Sequence, residues 1–158
     1  MTEYRLKSRD NSRTPMQWDD SPHAGFSTAE PWIPLHKNYA TLNAAVQARD
    51  PASVYAYWSA VLDLRKQYVD ILVYGSFELV DPENPDVFAF ARSGATPSQR
   101  AVVVLNFRPR EVNWTLPRKA TSGPARVALS NYPTRIGSKL LEAASVVLGP
   151  FEALICFT

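Results

Sequence analysis

Apolar residues recur with a helical period in the middle of the chain. Val54, Tyr57, Trp58, Val61, Leu62 and Tyr68 fall on one face of a 3.6-residue repeat, with Leu64 on its flank. Asp63, Arg65, Lys66 and Gln67 fill the remaining positions. Asp50 is a good N-cap, and Pro51 suits a first helical position, where its missing N–H costs nothing. The pattern therefore predicts a helix over 51–69. Its stripe of bulky aromatics calls for a large partner surface.

Beyond residue 72 the period shortens. Short runs with strand character lie at 76–80, 87–91, 101–107, 112–116, 126–130, 145–148 and 153–157. Turn signals separate them: Asp81-Pro82-Glu83-Asn84-Pro85-Asp86, then Ser93-Gly94-Ala95-Thr96-Pro97-Ser98, and later Gly149-Pro150. The run at 101–107 is Val-rich and suits a central strand. Short strands at this spacing predict a β-sandwich. The fold class expected is α+β, mainly β.

Residues 1–50 have a third texture. Pro15, Pro22, Pro31 and Pro34 interrupt them, and no periodic apolar pattern develops. The stretch is too long for an ordinary connector. Trp18, Phe26 and Trp32 make it too aromatic for a disordered tail. An ordered loop packed around a binding site satisfies both constraints.

Composition narrows the function classes. The chain has 158 residues and is 46% apolar, which is enough for a buried core. A net charge of +2 with scattered basic residues gives no nucleic-acid track, so no nucleic-acid partner is expected. No apolar run approaches a membrane span, and no secretory signal is visible. The single cysteine, Cys156, sits in an apolar run and reads as a buried small hydrophobe. These features give a cytoplasmic expectation with no membrane partner. His23 and His36 have no metal-ligand spacing, so no metal or cofactor is expected. The sequon Asn113-Trp114-Thr115 falls inside an expected strand and reads as a chance match.

The densest candidate chemistry is Arg9-Asp10-Asn11-Ser12-Arg13-Thr14-Pro15-Met16-Gln17-Trp18-Asp19-Asp20. Arg9 and Arg13 carry rigid donor forks that suit carboxylates and vicinal sugar hydroxyls. Trp18 and Trp32 can pack on a sugar ring or fill a core. Asp19 and Asp20 are adjacent, and neighbours in sequence diverge in direction, so they read as loop caps rather than an acid/base pair.

The segment from Arg9 to Asp19 resembles a hallmark of the α-glucosidase, oligo-1,6-glucosidase and dextran-glucosidase group of glycoside hydrolase family 13. The resemblance continues through Ala24-Gly25-Phe26, Pro31-Trp32-Ile33 and Asn38-Tyr39. It then takes in Tyr57, Leu64-Arg65-Lys66, Val73-Tyr74-Gly75 and Phe151-Glu152-Ala153. It implies a carboxyl-terminal portion only. Residues 1–70 would be the end of a (β/α)8 barrel, with a loop over 1–50 and the last helix over 51–69; residues 71–158 would be a carboxyl-terminal β-sandwich domain. It also implies that Arg9 reaches the deepest glucose subsite, that Arg13 and Asp10 brace the loop, and that Trp18 is structural.

The family's retaining mechanism uses an Asp nucleophile, a Glu acid/base and a second Asp from earlier barrel strands. No catalytic residue is assigned in this chain. The expected partner is an α-glucoside oligosaccharide of the maltose or isomaltose type, bound only with the rest of the barrel. Two other readings stay open: a non-catalytic carbohydrate-binding β-sandwich, and a structural or interaction protein without the chemistry. Residues 72–158 are expected to fold alone, while the Pro-rich loop, and with it the helix, would stay mobile or expose an apolar patch.

Overall fold

The computed structural model of the chain describes residues 12–96, 98–117, 120–121, 123–140 and 145–158. The chain divides into two compact units, Met1–Ser59 and Ala60–Thr158. The described part of the first unit opens with an irregular loop that includes a 3-10 turn at Pro22–Gly25. It continues into helix α1, Ala44–Arg49. Helix α2, Val54–Gln67, runs through the division between the units, and a single turn, α3, Val69–Leu72, follows it.

Helix α1 was not expected from the sequence. Asn43 caps it: its Oδ1 accepts from the Val46 N–H at 2.9 Å, while its Nδ2 donates to the Tyr39 carbonyl at 2.8 Å. Helix α2 begins later than the predicted residue 51. The Ser53 Oγ accepts from the Ala56 N–H at 3.0 Å and donates to the Gln47 carbonyl at 2.7 Å, so Ser53 is the cap. Asp50 instead accepts from the Ala52 N–H at 2.8 Å and shapes the turn before the helix.

The second unit is a two-layer β structure. Its strands are β1 (Ser76–Val80), β2 (Val87–Ser93), β3 (Arg100–Asn106), β4 (Val112–Thr115), β5 (Ala125–Ser130), β6 (Lys139–Leu140), β7 (Ser145–Leu148) and β8 (Ala153–Phe157). One antiparallel sheet has the order β1-β2-β3-β8-β5-β6; the other pairs β4 with β7. Strand β3 is central, as its Val-rich run predicts. In its register, Val102 faces Ala91 on β2 and Cys156 on β8. A bulge between Val127 and Leu129 breaks the β5–β8 ladder.

The core lies between the two sheets. Val102, Val104, Val127, Leu154 and Cys156 contribute from the large sheet, and Val112, Trp114 and Leu148 from the small one. The period-2 alternation puts these side chains inward: β4 and β7 are buried at every second residue. The Trp114 indole N–H still finds an acceptor, the Asp81 carboxylate at 3.1 Å. Burial pushes the Cys156 thiol up to about 12, with Arg135 opposing the shift. The cysteine is a core hydrophobe, as its setting suggests.

Two buried polar residues, Asn106 and Glu152, tie the loops at one end of the sandwich. Asn106 donates to the carbonyls of Arg110 and Gly149 at 2.9 and 2.7 Å and accepts from the Arg108 N–H at 2.8 Å. Glu152, only 3% exposed, accepts from Arg135 at 2.9 Å and from the Gly149 N–H at 2.7 Å. Their burial costs little because these polar atoms are paired.

At the other end, the guanidinium of Arg92 closes the helical segment. It donates to the Ile71 carbonyl at 3.4 Å and to the Val73 carbonyl at 2.9 Å. Both are carbonyls that the short α3 turn leaves without helical partners. Gly75 follows at once, and its glycine is required by space. A methyl group there would lie 2.3 Å from the Ile71 carbonyl oxygen and 2.7 Å from that of Ser93.

Candidate functional site

The loop singled out by the sequence is a closed, braced ring. The Trp18 and Asp19 N–H groups both donate to the Ala24 carbonyl, at 2.9 and 3.3 Å. The Ala24 N–H donates back to Ser21 at 2.9 Å. To make this closure, His23, Ala24 and Gly25 all take left-handed backbone conformations, with φ of 57°, 58° and 65°. For non-glycine residues this costs on the order of 1 kcal/mol each. The ring's hydrogen bonds and the complete burial of Ala24 offset it.

Asp19 sits under this ring. Its Oδ1 accepts from the Ser21 N–H at 2.9 Å and from the Ser21 hydroxyl. The Ser21 hydroxyl, then its N–H, holds the Asp19 carboxyl below its ordinary value, against a smaller opposing desolvation. A side chain at position 25 would meet the same carboxylate at 2.8 Å, so Gly25 is needed for room as well as for its φ. Asp19 thus stays ionised and caps a turn, as the sequence suggests; an ionised carboxylate is a poor general acid.

The ring is anchored to helix α1. The first two N–H groups of that helix, from Ala44 and Ala45, donate to the carbonyls of Gln17 and Trp18, both at 2.9 Å. Donors that have no partner within the helix are thereby satisfied. The Gln17 side chain adds a second anchor, donating to Asn38 Oδ1 at 3.3 Å and to the Leu42 carbonyl. Gln17 and Asn43 are the bracing side chains, and the sequence reading missed both roles. The signal available was Asn43 directly before Ala44-Ala45-Val46-Gln47, a cap followed by residues that form helix readily.

Arg9 and Asp10 lie outside the described residues. Arg13 is exposed, and no hydrogen bond or ion pair joins it to another described residue. Among the described residues, the bracing side chains are Gln17 and Asn43. The Trp18 main chain holds the ring, while its indole is half exposed. Trp32 is 85% exposed, so its indole fills no core within this unit. Either ring is free to pack on a flat apolar surface.

Beside the ring runs an apolar groove of about 690 Å3. Pro15, Met16, Leu42, Val54, Tyr55 and Trp58 line it, with Gln17 and Gln47 as polar edges. The stripe of helix α2 is largely uncovered: Val54 is 68% and Trp58 60% exposed. Tyr57 is half-buried, and this desolvation raises its phenol above the ordinary value. Among the described residues, no group of three or more His, Cys, Asp or Glu side chains is placed to hold a metal ion. Nor is any described helix long and apolar enough to cross a membrane.

Comparison with known proteins bears on this geometry. Residues 1–75 match the α-amylase catalytic-domain family, and residues 77–155 match the maltogenic amylase carboxyl-terminal domain family. An α-glucosidase of Schizosaccharomyces pombe is 40% identical over 151 residues, covering 94% of this chain and 25% of that protein. An oligo-1,6-glucosidase of Bacillus cereus is 35% identical over 155 residues, covering 98% of this chain and 26% of that protein. The crystal structure of the trehalulose synthase MutB of Pseudomonas mesoacidophila superposes with a TM-score of 0.84 at 35% identity, over 99% of this chain and 27% of that one. MutB variants have been solved in complex with glucose and with isomaltulose. The chain spans about a quarter of the length of these relatives. It has the last part of a barrel followed by a β-sandwich. The chain belongs to glycoside hydrolase family 13, and matches the carboxyl-terminal portion of its α-glucosidases and oligo-1,6-glucosidases.

Proposed function

We propose that this chain serves an α-glucosidase that removes terminal α-linked glucose from maltose- or isomaltose-type oligosaccharides by a retaining mechanism. Residues 1–70 act as the end of the catalytic barrel, and residues 71–158 as its carboxyl-terminal β-domain. Arg9, at the head of the braced loop, reaches the deepest glucose and bonds its hydroxyls through the guanidinium fork. The nucleophile and the acid/base come from other barrel segments, so the chain does not catalyse alone.

The observation that carries this reading is the uncovered face of helix α2. Val54, Trp58 and Leu62 form an apolar stripe that water contacts in this chain. Burying side chains of this size is worth on the order of 1.5–3 kcal/mol each. A barrel's last helix has such a stripe because the barrel strands cover it. The braced loop supports the same reading, since it offers a rigid platform from which a side chain can be presented to a sugar.

The test is reconstitution. The chain is assayed with a chromogenic α-glucoside, alone and after co-expression with the preceding barrel segments of a related α-glucosidase. The proposal expects turnover only in the second case, and expects Arg9→Ala to abolish most of it. Reconstituted turnover that is indifferent to Arg9 would remove that residue from the site.

A further inference from the structure

A second groove, of about 480 Å3, lies in the β unit. Its volume falls within the range of about 300–1,000 Å3 typical of small-molecule sites. Asp70, Tyr74, Gly75, Ser93, Gly94 and Gln99 line it.

The polar chemistry here is largely unspent. Tyr74 is 79% exposed. Neither the Tyr74 hydroxyl nor the Asp70 carboxylate hydrogen-bonds another described residue, although neighbouring turns are densely paired. The Gln99 Oε1 accepts weakly from the Thr96 N–H at 3.3 Å, and the amide donors of Gln99 bond no other described residue. An aromatic ring beside a carboxylate and a planar amide is the chemistry that recognises a pyranose. The C–H face of the sugar packs on the ring, and its equatorial hydroxyls pair with the bidentate planar groups.

The platform is also held in place before any ligand arrives. The Tyr74 N–H donates to the Val69 carbonyl at 3.1 Å, and Arg92 fixes the adjoining Val73 carbonyl at 2.9 Å. Opposite, the Gly94 N–H donates to the Gln99 carbonyl at 2.7 Å, which closes the β2–β3 turn under the Gln99 side chain. A site with fixed walls loses little entropy on binding.

We infer that this groove is a saccharide-binding site separate from the Arg9 loop, with Tyr74 as the stacking platform and Asp70 and Gln99 as the hydroxyl partners. It would take a disaccharide of glucose. The choice of α-linked glucose rests on the functional reading above; the pyranose chemistry does not.

The test is a maltose titration of the full chain followed by amide NMR. The inference expects saturable shifts at Gly75, Gly94 and the Gln99 side chain. Tyr74→Ala should weaken the affinity about tenfold or more, and Tyr74→Trp should retain it. Tyr74 is exposed, so neither change disturbs the core. An absence of saturable shifts at these residues, or shifts confined to residues 12–32, would overturn the inference. Unchanged affinity in Tyr74→Ala would do the same. The reconstituted hydrolysis assay is independent of this outcome, so the two readings fail separately.

Discussion

Arg92 on strand β2 donates through Nη2 to the main-chain carbonyl of Val73 at 2.9 Å, and through Nε to that of Ile71 at 3.4 Å. One side chain thereby fixes the end of the helical segment to the sheet. Hydrogen bonds from a charged donor contribute about 1.5–3 kcal/mol each at most. Arg92→Ala is expected to destabilise the β unit by about 2 kcal/mol. Arg92→Lys should recover less than half, because an ammonium cannot hold the fork geometry. Urea unfolding of the three proteins measures both.

Gly75 lies at the same junction. A Cβ would stand 2.3 Å from a backbone oxygen, which no side-chain rotation can relieve. Gly75→Ala is expected to cost about 1–3 kcal/mol or to shift the junction backbone. Gly94→Ala is the milder control, since its nearest neighbour is the Gln99 Cβ at 3.0 Å rather than a backbone oxygen at 2.3 Å. A difference of less than about 0.5 kcal/mol between the two variants would contradict the account.

The sandwich was legible from the chain, and the reasons are local. Strands β4, β7 and β8 alternate buried and less-buried residues, and β3 is a continuous Val run at the sheet centre. Strand β6 is two residues long, too short to leave a period. Helix α1 was hidden because the surrounding prolines suggested a loop throughout, while its stability comes from Asn43 and from loop carbonyls 27 residues earlier in the chain. The start of α2 was misread because Asp50-Pro51 has the composition of a cap, yet the buried Ser53 Oγ makes the capping bond. The bracing role of Gln17 rests on contacts 21 and 25 residues away, which no local pattern encodes, whereas Asn43 had a local signal in its place before Ala44. The motif led by Arg9 was legible only through its resemblance to a family.

Asp86 gives the β unit an acid-sensitive tie. The hydrogen bond from Arg108 holds its carboxyl below the ordinary value, opposed by desolvation and reinforced by Arg110. The ion pairs are at 2.7 and 2.8 Å. A carboxyl lowered in the folded state stabilises above its unfolded value, and that stability is lost as pH falls through the folded value. Unfolding midpoints are therefore expected to fall on acidification below roughly pH 4. Asp86→Asn should flatten this dependence. A midpoint that falls equally in both proteins would contradict the assignment.

Cys156 is enclosed by the core, and its thiol is pushed up to about 12. The thiolate is the reactive species, so the folded chain should react with Ellman's reagent at pH 8 only through unfolding. The expected result is a rate that rises in urea in parallel with the unfolded fraction. A fast reaction in native buffer would contradict the burial.

The central claim is that this chain equips an α-glucosidase without carrying its catalytic carboxylates. Turnover of p-nitrophenyl α-glucoside by the purified 158-residue chain tests it most directly. The account predicts no hydrolysis above buffer for the chain alone, and hydrolysis once the remaining barrel segments are supplied. Sustained turnover by the chain alone would contradict it.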